Sequence, residues 1–214
     1  MPKTNPEARE RIVAGAADMI SRRGLSATSI REMAKHAKAP LGSTYHYFPE
    51  GKQQLATEAV RFTGEWVARS LRKELEMGPD VGLQAFLALW RKIVVETDFR
   101  AGCPVLAVAI EEPPTDEIPP ALAAAAEVFD QWESLLAASL RGRGVEPDQA
   151  AQLATLIVSA VEGTVAMCRA KRTTEPLDRV AAQLQSLISY ATGIRAEPHQ
   201  PGRAHDHDPP RVRP

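Results

Sequence analysis

Residues 24–55 read GLSATSIREMAKHAKAPLGSTYHYFPEGKQQL, and the fold is decided there. Ile30, Met33, Ala34 and Ala37 recur at i, i+3, i+4 and i+7, which makes one face of a short helix apolar. Thr28 is placed to N-cap that helix, with Glu32 near the position of a capping-box partner. A tight turn follows. A second short helix, from about Pro40 to Tyr45, shows only small, hydroxylic or aromatic side chains. A helix built to fill a core would not have that surface, whereas one laid into a DNA major groove would. Pro49 and Gly51 then break the chain before Lys52 opens a long helix.

Outward from this stretch the chain reads as all-α. Pro6 suits the start of a first helix running to Arg23, with Ile12, Ala16, Met19 and Ile20 as its stripe and Gly24 as its stop. Downstream, periodic apolar segments run from about Lys52 to Met77, Val81 to Thr97 and Ala121 to Arg141. Two more run from Pro147 to about Lys171 and from Pro176 to Ile194. Gly102-Cys103-Pro104 breaks the chain before a short apolar piece, Val105 to Ile110, and a Pro-rich acidic loop occupies 111–120. No alternating strand pattern of useful length appears. This predicts a three-helix head over 1–51, a helical body over 52–195 and a disordered tail over 196–214.

Composition narrows the class. Of the 214 residues 44% are hydrophobic, enough for a substantial core, and aromatics are scarce at 5%, which favours helices over β-sandwiches. Cys103 and Cys168 are the only cysteines, so neither a disulfide framework nor a zinc-finger spacing exists. With no run of 18 apolar residues and no signal-peptide core, the expectation is a cytoplasmic chain with no membrane partner and reduced thiols. The net charge of −1 hides an asymmetry: nine Lys/Arg against five Asp/Glu in residues 1–55 leave a basic head on an acidic body. That division suits a module that meets phosphate.

The candidate DNA contacts are Thr28, Lys38, Pro40, Leu41, Gly42, Ser43, Thr44, Tyr45, His46 and Lys52. Thr28 at a helix N-terminus offers a hydroxyl and free amides to a phosphate. Gly42 permits close approach, Ser43, Thr44, Tyr45 and His46 supply short donors and an aromatic tip, and Lys52 sits where it can pair with a second phosphate. In the body, Phe62, Trp66, Phe86, Trp90, Cys103, Phe129, Trp132 and Met167 are candidate walls of a cavity for an aromatic ligand, or else simply its core. Glu111 and Glu162 are candidate anchors for a polar ligand group, or else solvated charges.

From Arg11 to Leu55 the chain resembles the DNA-binding head of the tetracycline-repressor (TetR) family of bacterial regulators. The resemblance rests on Ala16, Gly24, Thr28, Ile30, Met33, Ala34, Ala37, Gly42, Ser43, Tyr45, Phe48, Lys52 and Leu55. The body is similar to repressors like those of lincomycin-type resistance and flavonoid response, through AGCPVLAVAIE at 101–111, FDQW at 129–132 and the segment 161–184. The resemblance implies a three-helix head, a ligand-binding helical body and a homodimer built on the last two helices. Leu153, Ile157, Ala160, Leu184 and Ile188 are then the interface candidates. It also implies a palindromic double-stranded operator as partner and a small hydrophobic or aromatic effector. Two departures stand out: Lys38 occupies a turn position usually held by Gly, and Glu50-Gly51 lengthens the next segment by one residue.

Neither an enzyme nor a cofactor is expected. No H-E-x-x-H, G-x-S-x-G, phosphate loop or dinucleotide fingerprint occurs, and His205-Asp206-His207-Asp208 lies in the expected flexible tail. A helical small-molecule-binding module without sequence-specific DNA binding stays open as the rival reading, with Lys38 as its best argument.

Overall fold

The computed structural model describes residues 6–113 and 116–193. Among these residues all regular structure is helical: α1 (Pro6–Arg23), α2 (Ile30–His36), α3 (Leu41–Tyr47), α4 (Lys52–Leu75) and α5 (Pro79–Glu96) are followed by α6 (Pro104–Ala109), α7 (Pro120–Gly142), α8 (Pro147–Lys171) and α9 (Glu175–Ala191). The expected tail beyond 195 lies outside the described residues.

Punctuation in the sequence sets most of these boundaries. Proline occupies the first turn of α5, α6, α7, α8 and α9, where its missing N–H costs nothing. Gly24 and Gly78 hold the positive φ angles that let the chain leave α1 and enter α5. The cap of α2 differs from expectation: Ser29, not Thr28, caps the helix, accepting from the Glu32 amide at 3.2 Å while the Glu32 carboxylate takes the Ser29 amide at 2.9 Å. Ser29–Glu32 has the true four-residue spacing of a capping box, which Thr28 misses by one. These hydrogen bonds from Ser29 hold the Glu32 carboxyl below its usual range.

The head folds on α4. Ile12, Ile20, Met33, Phe48 and Leu55 are fully or almost fully buried in one core, and Phe48 also receives the Arg9 guanidinium over its ring at 5.2 Å. Asp18 ties α2 to α1 through His36 at 2.7 Å and is held within α1 by Arg22 at 2.9 Å.

In the body α4 packs against α5, α6 and α7, and α8 against α5, α7 and α9. Gly64 is what lets α4 lie against α7, because a Cβ there would collide with Val128. Its bared carbonyl accepts the Trp132 indole N–H at 3.1 Å. By length and composition α8 is apolar enough to cross a membrane. Here its apolar breadth serves contacts on several sides: Ala150, Ala154, Ile157, Val161 and Cys168 are buried against the rest of the body.

Candidate nucleic-acid interface

The turn between α2 and α3 passes through Lys38 at φ +52°, a left-handed conformation that favours glycine. Its side chain is exposed, so the strained residue carries a cation outward. Pro40 then caps α3 in an extended conformation, and the helix continues two residues past its expected end, to Tyr47.

The two faces of α3 divide cleanly. Pro40, Gly42, Ser43, Tyr45 and His46 are exposed, Tyr45 to 48%, and a Cβ on Gly42 would meet nothing within 4 Å. Leu41 and Lys52 are half-buried, Lys52 near enough to Glu32 to lower its pKa. Two expected contacts are corrected. Thr44 is fully buried and bonds the Pro40 carbonyl at 3.1 Å. Thr28 is also buried, its hydroxyl donating to the Leu25 carbonyl at 2.8 Å. Both threonines therefore brace the head and are turned away from any ligand on its surface.

Where the head joins the body, one acid takes most of the polar contacts. Glu111, just beyond α6, accepts from the backbone amides of Leu25 and Ser26 and from the Ser26 hydroxyl, at 2.5, 2.9 and 2.5 Å. On the other side of the same turn the carbonyls ending α1 are taken by body donors. Gly102 N–H reaches Ser21 O at 3.1 Å, and the Arg169 guanidinium reaches Arg22 O and Arg100 O, both at 3.1 Å. Sequence reasoning missed this clamp, since nothing local marks a pairing 85 residues apart.

Beside the clamp lies a cavity of about 410 Å³, in the range of small-molecule sites. The end of α1 (Ser21 to Gly24), α6 with Cys103, Leu106 and Ala107, and α8 with Val165, Ala166 and Arg169 form its walls. Cys103 is thus the one expected ligand-pocket residue found here, with its thiol pKa driven far up by burial and by the nearby Glu162. The other seven are not gathered around one cavity. Phe86, Trp90, Phe129 and Trp132 stack edge to face at centroid distances of 5.9 to 6.4 Å as a packed core. Phe62 lines a shallow groove against α1, and Trp66 and Met167 are exposed on the outside. Large aromatic side chains at helical spacing were needed to fill the body, which leaves little space between them.

Most of the expected interface residues are turned into the chain's own core. Ile157, Leu184 and Ile188 are buried within the single chain, and Leu153 and Ala160 are half-covered. The outer face of the α8–α9 pair instead carries Leu156, Met167, Leu187 and Tyr190, all exposed, with Ser159, Gly163 and Ala166 between them.

Known proteins are similar to this chain in sequence and in fold. Residues 12–59 match the bacterial regulatory proteins of the tetR family, and residues 79–183 match the LmrA/YxaF-like transcriptional regulator C-terminal domain. An uncharacterized HTH-type transcriptional regulator of Mycobacterium tuberculosis is 43% identical over 183 residues, covering 84% of this chain and 93% of its own. The HTH-type transcriptional regulators YxaF and LmrA of Bacillus subtilis are 32% and 28% identical, each over 85% of this chain and at least 95% of their own. A crystal structure of the regulatory protein TetR from Rhodobacter sphaeroides shares the fold with a TM-score of 0.73 at 22% identity, covering 84% of this chain and 97% of that one. The chain belongs to the TetR family of helix-turn-helix transcriptional regulators, in the branch with an LmrA/YxaF-like C-terminal domain.

Proposed function

We propose that this chain is a homodimeric repressor that leaves a palindromic operator when a small hydrophobic or aromatic effector enters its body. One observation carries the reading: the head presents a donor-bearing α3 outward while its base is clamped to the body beside a cavity that both parts line. A molecule entering that cavity touches the end of α1 and α6 together, so it can bias where the head sits. A coupling of about 1–3 kcal/mol between the two sites is enough for a useful switch.

The DNA-facing set is Lys38, Pro40, Gly42, Ser43, Tyr45 and His46, with Leu41 and Lys52 at its edge. Dimerisation uses the exposed faces of α8 and α9, where small residues between Leu156, Met167 and Leu187 suit close helix packing. Two heads related by a two-fold axis read half-sites about 34–36 Å apart or a multiple of that.

The test is fluorescence-anisotropy binding of the purified protein to fragments from upstream of its own gene, over a range of salt. Saturable binding that weakens steeply with salt is the expected result. Weak, sequence-indifferent binding would instead favour the rival reading, a ligand-binding module whose head is disabled at Lys38.

A further inference from the structure

Glu162 lies on α8 and is 3% exposed, yet no N–H or O–H group reaches either carboxylate oxygen among the described residues, and its one side-chain hydrogen bond is to the Cys103 thiol. Buried polar groups in native proteins are almost always paired, and a buried charge left alone is costly. Burial pushes its pKa up to about 8, and the one polar side chain that acts on it is the Cys103 thiol, a weak donor. No arginine or lysine offsets it: Arg169, two turns further along α8, is committed to the Arg22 and Arg100 carbonyls.

Its position supplies a reason for this shortage of donors. Val165 and Ala166, three and four residues on, share its side of α8, and both line the head–body cavity, as does Cys103. The carboxyl therefore stands one layer behind the cavity wall, against Cys103, where the wall is small and aliphatic; the rim toward α1 carries Arg22, Arg23 and Arg169 beside Glu111.

We infer that Glu162 is the recognition group for an ammonium-bearing amphipathic effector, whose apolar part fills the cavity beside Cys103, Leu106, Ala107, Val165 and Ala166. The inference rests on the effector-controlled reading above and names the chemistry of that effector. An ammonium is favoured over a neutral donor because it can serve both carboxylate oxygens, which the weak Cys103 thiol leaves under-satisfied, and because charge-assisted hydrogen bonds are about twice as strong as neutral ones. A hydroxyl would satisfy one oxygen and leave the other.

Three naphthalene probes of matched shape test this on the full chain: 1-naphthylmethylamine, 1-naphthalenemethanol and 1-naphthoate, titrated by calorimetry near neutral pH. The amine is expected to bind about tenfold tighter than the alcohol, with the acid weakest. E162Q is expected to abolish the preference, and E162D, which keeps the charge, to retain part of it. Repeating the amine titration in two buffers of different ionisation enthalpy should show proton release by wild type and none by E162Q. Amine and alcohol binding equally, or a preference that survives in E162Q, overturns the inference and leaves the effector reading intact. Failure of all three probes to bind wild type overturns both.

Discussion

Glu111 holds Ser26 twice, by its backbone amide at 2.9 Å and by its hydroxyl at 2.5 Å, and so fixes the head to the body across 85 residues of sequence. The turn after α1 offers free amides, the end of α1 offers free carbonyls, and the body answers each with a group of opposite polarity. Both ends of this bracket lie on elements that line the same cavity.

Removing the acceptor should loosen the head without unfolding it. E111A is expected to cost about 1–3 kcal/mol in thermal or chemical unfolding, because the amides of Leu25 and Ser26 lose their partner. Amide hydrogen exchange is the direct measurement. Leu25 and Ser26 should exchange much faster in E111A, whereas unchanged protection would mean that the clamp does not hold in solution.

Neighbouring residues on α3 should separate stability from binding. Tyr45 is exposed, so Y45A is expected to leave the unfolding temperature nearly unchanged while costing about 1–3 kcal/mol in operator affinity. Thr44 is fully buried and bonds Pro40, so T44V is expected to cost about 1 kcal/mol of stability, with little effect on affinity per folded molecule. Equal losses of affinity from the two variants would refute this division of α3.

Lys38 combines a disfavoured backbone with a useful charge. At φ +52° a lysine is strained by roughly 1 kcal/mol relative to glycine, so K38G should raise the unfolding temperature slightly. If the side chain meets a phosphate, the same variant lowers the slope of log affinity against log salt by about 0.9. A higher melting point with an unchanged slope would assign Lys38 no role on DNA.

Much of this was legible in the sequence because local chemistry decided it. Proline and glycine marked helix ends within a few residues, as at Pro6, Gly24, Pro104 and Pro147. The i, i+3, i+4 pattern found the core faces of α1 and α2. Inside and outside on α8 could not be read, since Leu153, Leu156, Ile157 and Met167 place apolar side chains all around it. Ile157 proved to be buried and Leu156 exposed, a choice made by where α5, α7 and α9 dock. The aromatic residues misled for a related reason: Trp90 and Trp132 looked like cavity walls but pack against each other at 6.4 Å. Glu111 and Glu162 were legible only as ligand anchors or solvated charges, because the surroundings of each are set by residues distant in sequence: Leu25 and Ser26 for one, Cys103 for the other.

The outer face of α8 and α9 gives a contrast between assembly and folding. Leu187 is exposed in the single chain, so L187E should leave the fold intact, convert a dimer to monomers in analytical ultracentrifugation and weaken operator binding with it. Ile188, one residue on, is 1% exposed, and I188A should cost about 2–5 kcal/mol of stability through the cavity it leaves. An L187E protein that sediments like wild type would place the interface elsewhere.

Glu162 should write itself into the pH dependence of stability. Its pKa is 4.5 as a free side chain and about 8 in the folded chain, because burial disfavours the charged form. At pH values below 4.5 both states carry the proton and the group adds no penalty. Between 4.5 and about 8 the unfolded chain ionises while the folded one keeps its proton, so the folded state binds more protons and stability falls as pH rises. Above about 8 both are ionised and the loss is complete. A single group of this kind contributes at most about 1.4 kcal/mol per pH unit across that window. E162Q cannot titrate, so the difference in unfolding free energy between E162Q and wild type should grow steadily from about pH 5 to about pH 8. All other groups are common to both proteins and cancel in that difference. A flat difference would mean that Glu162 has found a stronger partner or solvent, and the buried carboxyl could no longer be regarded as under-satisfied.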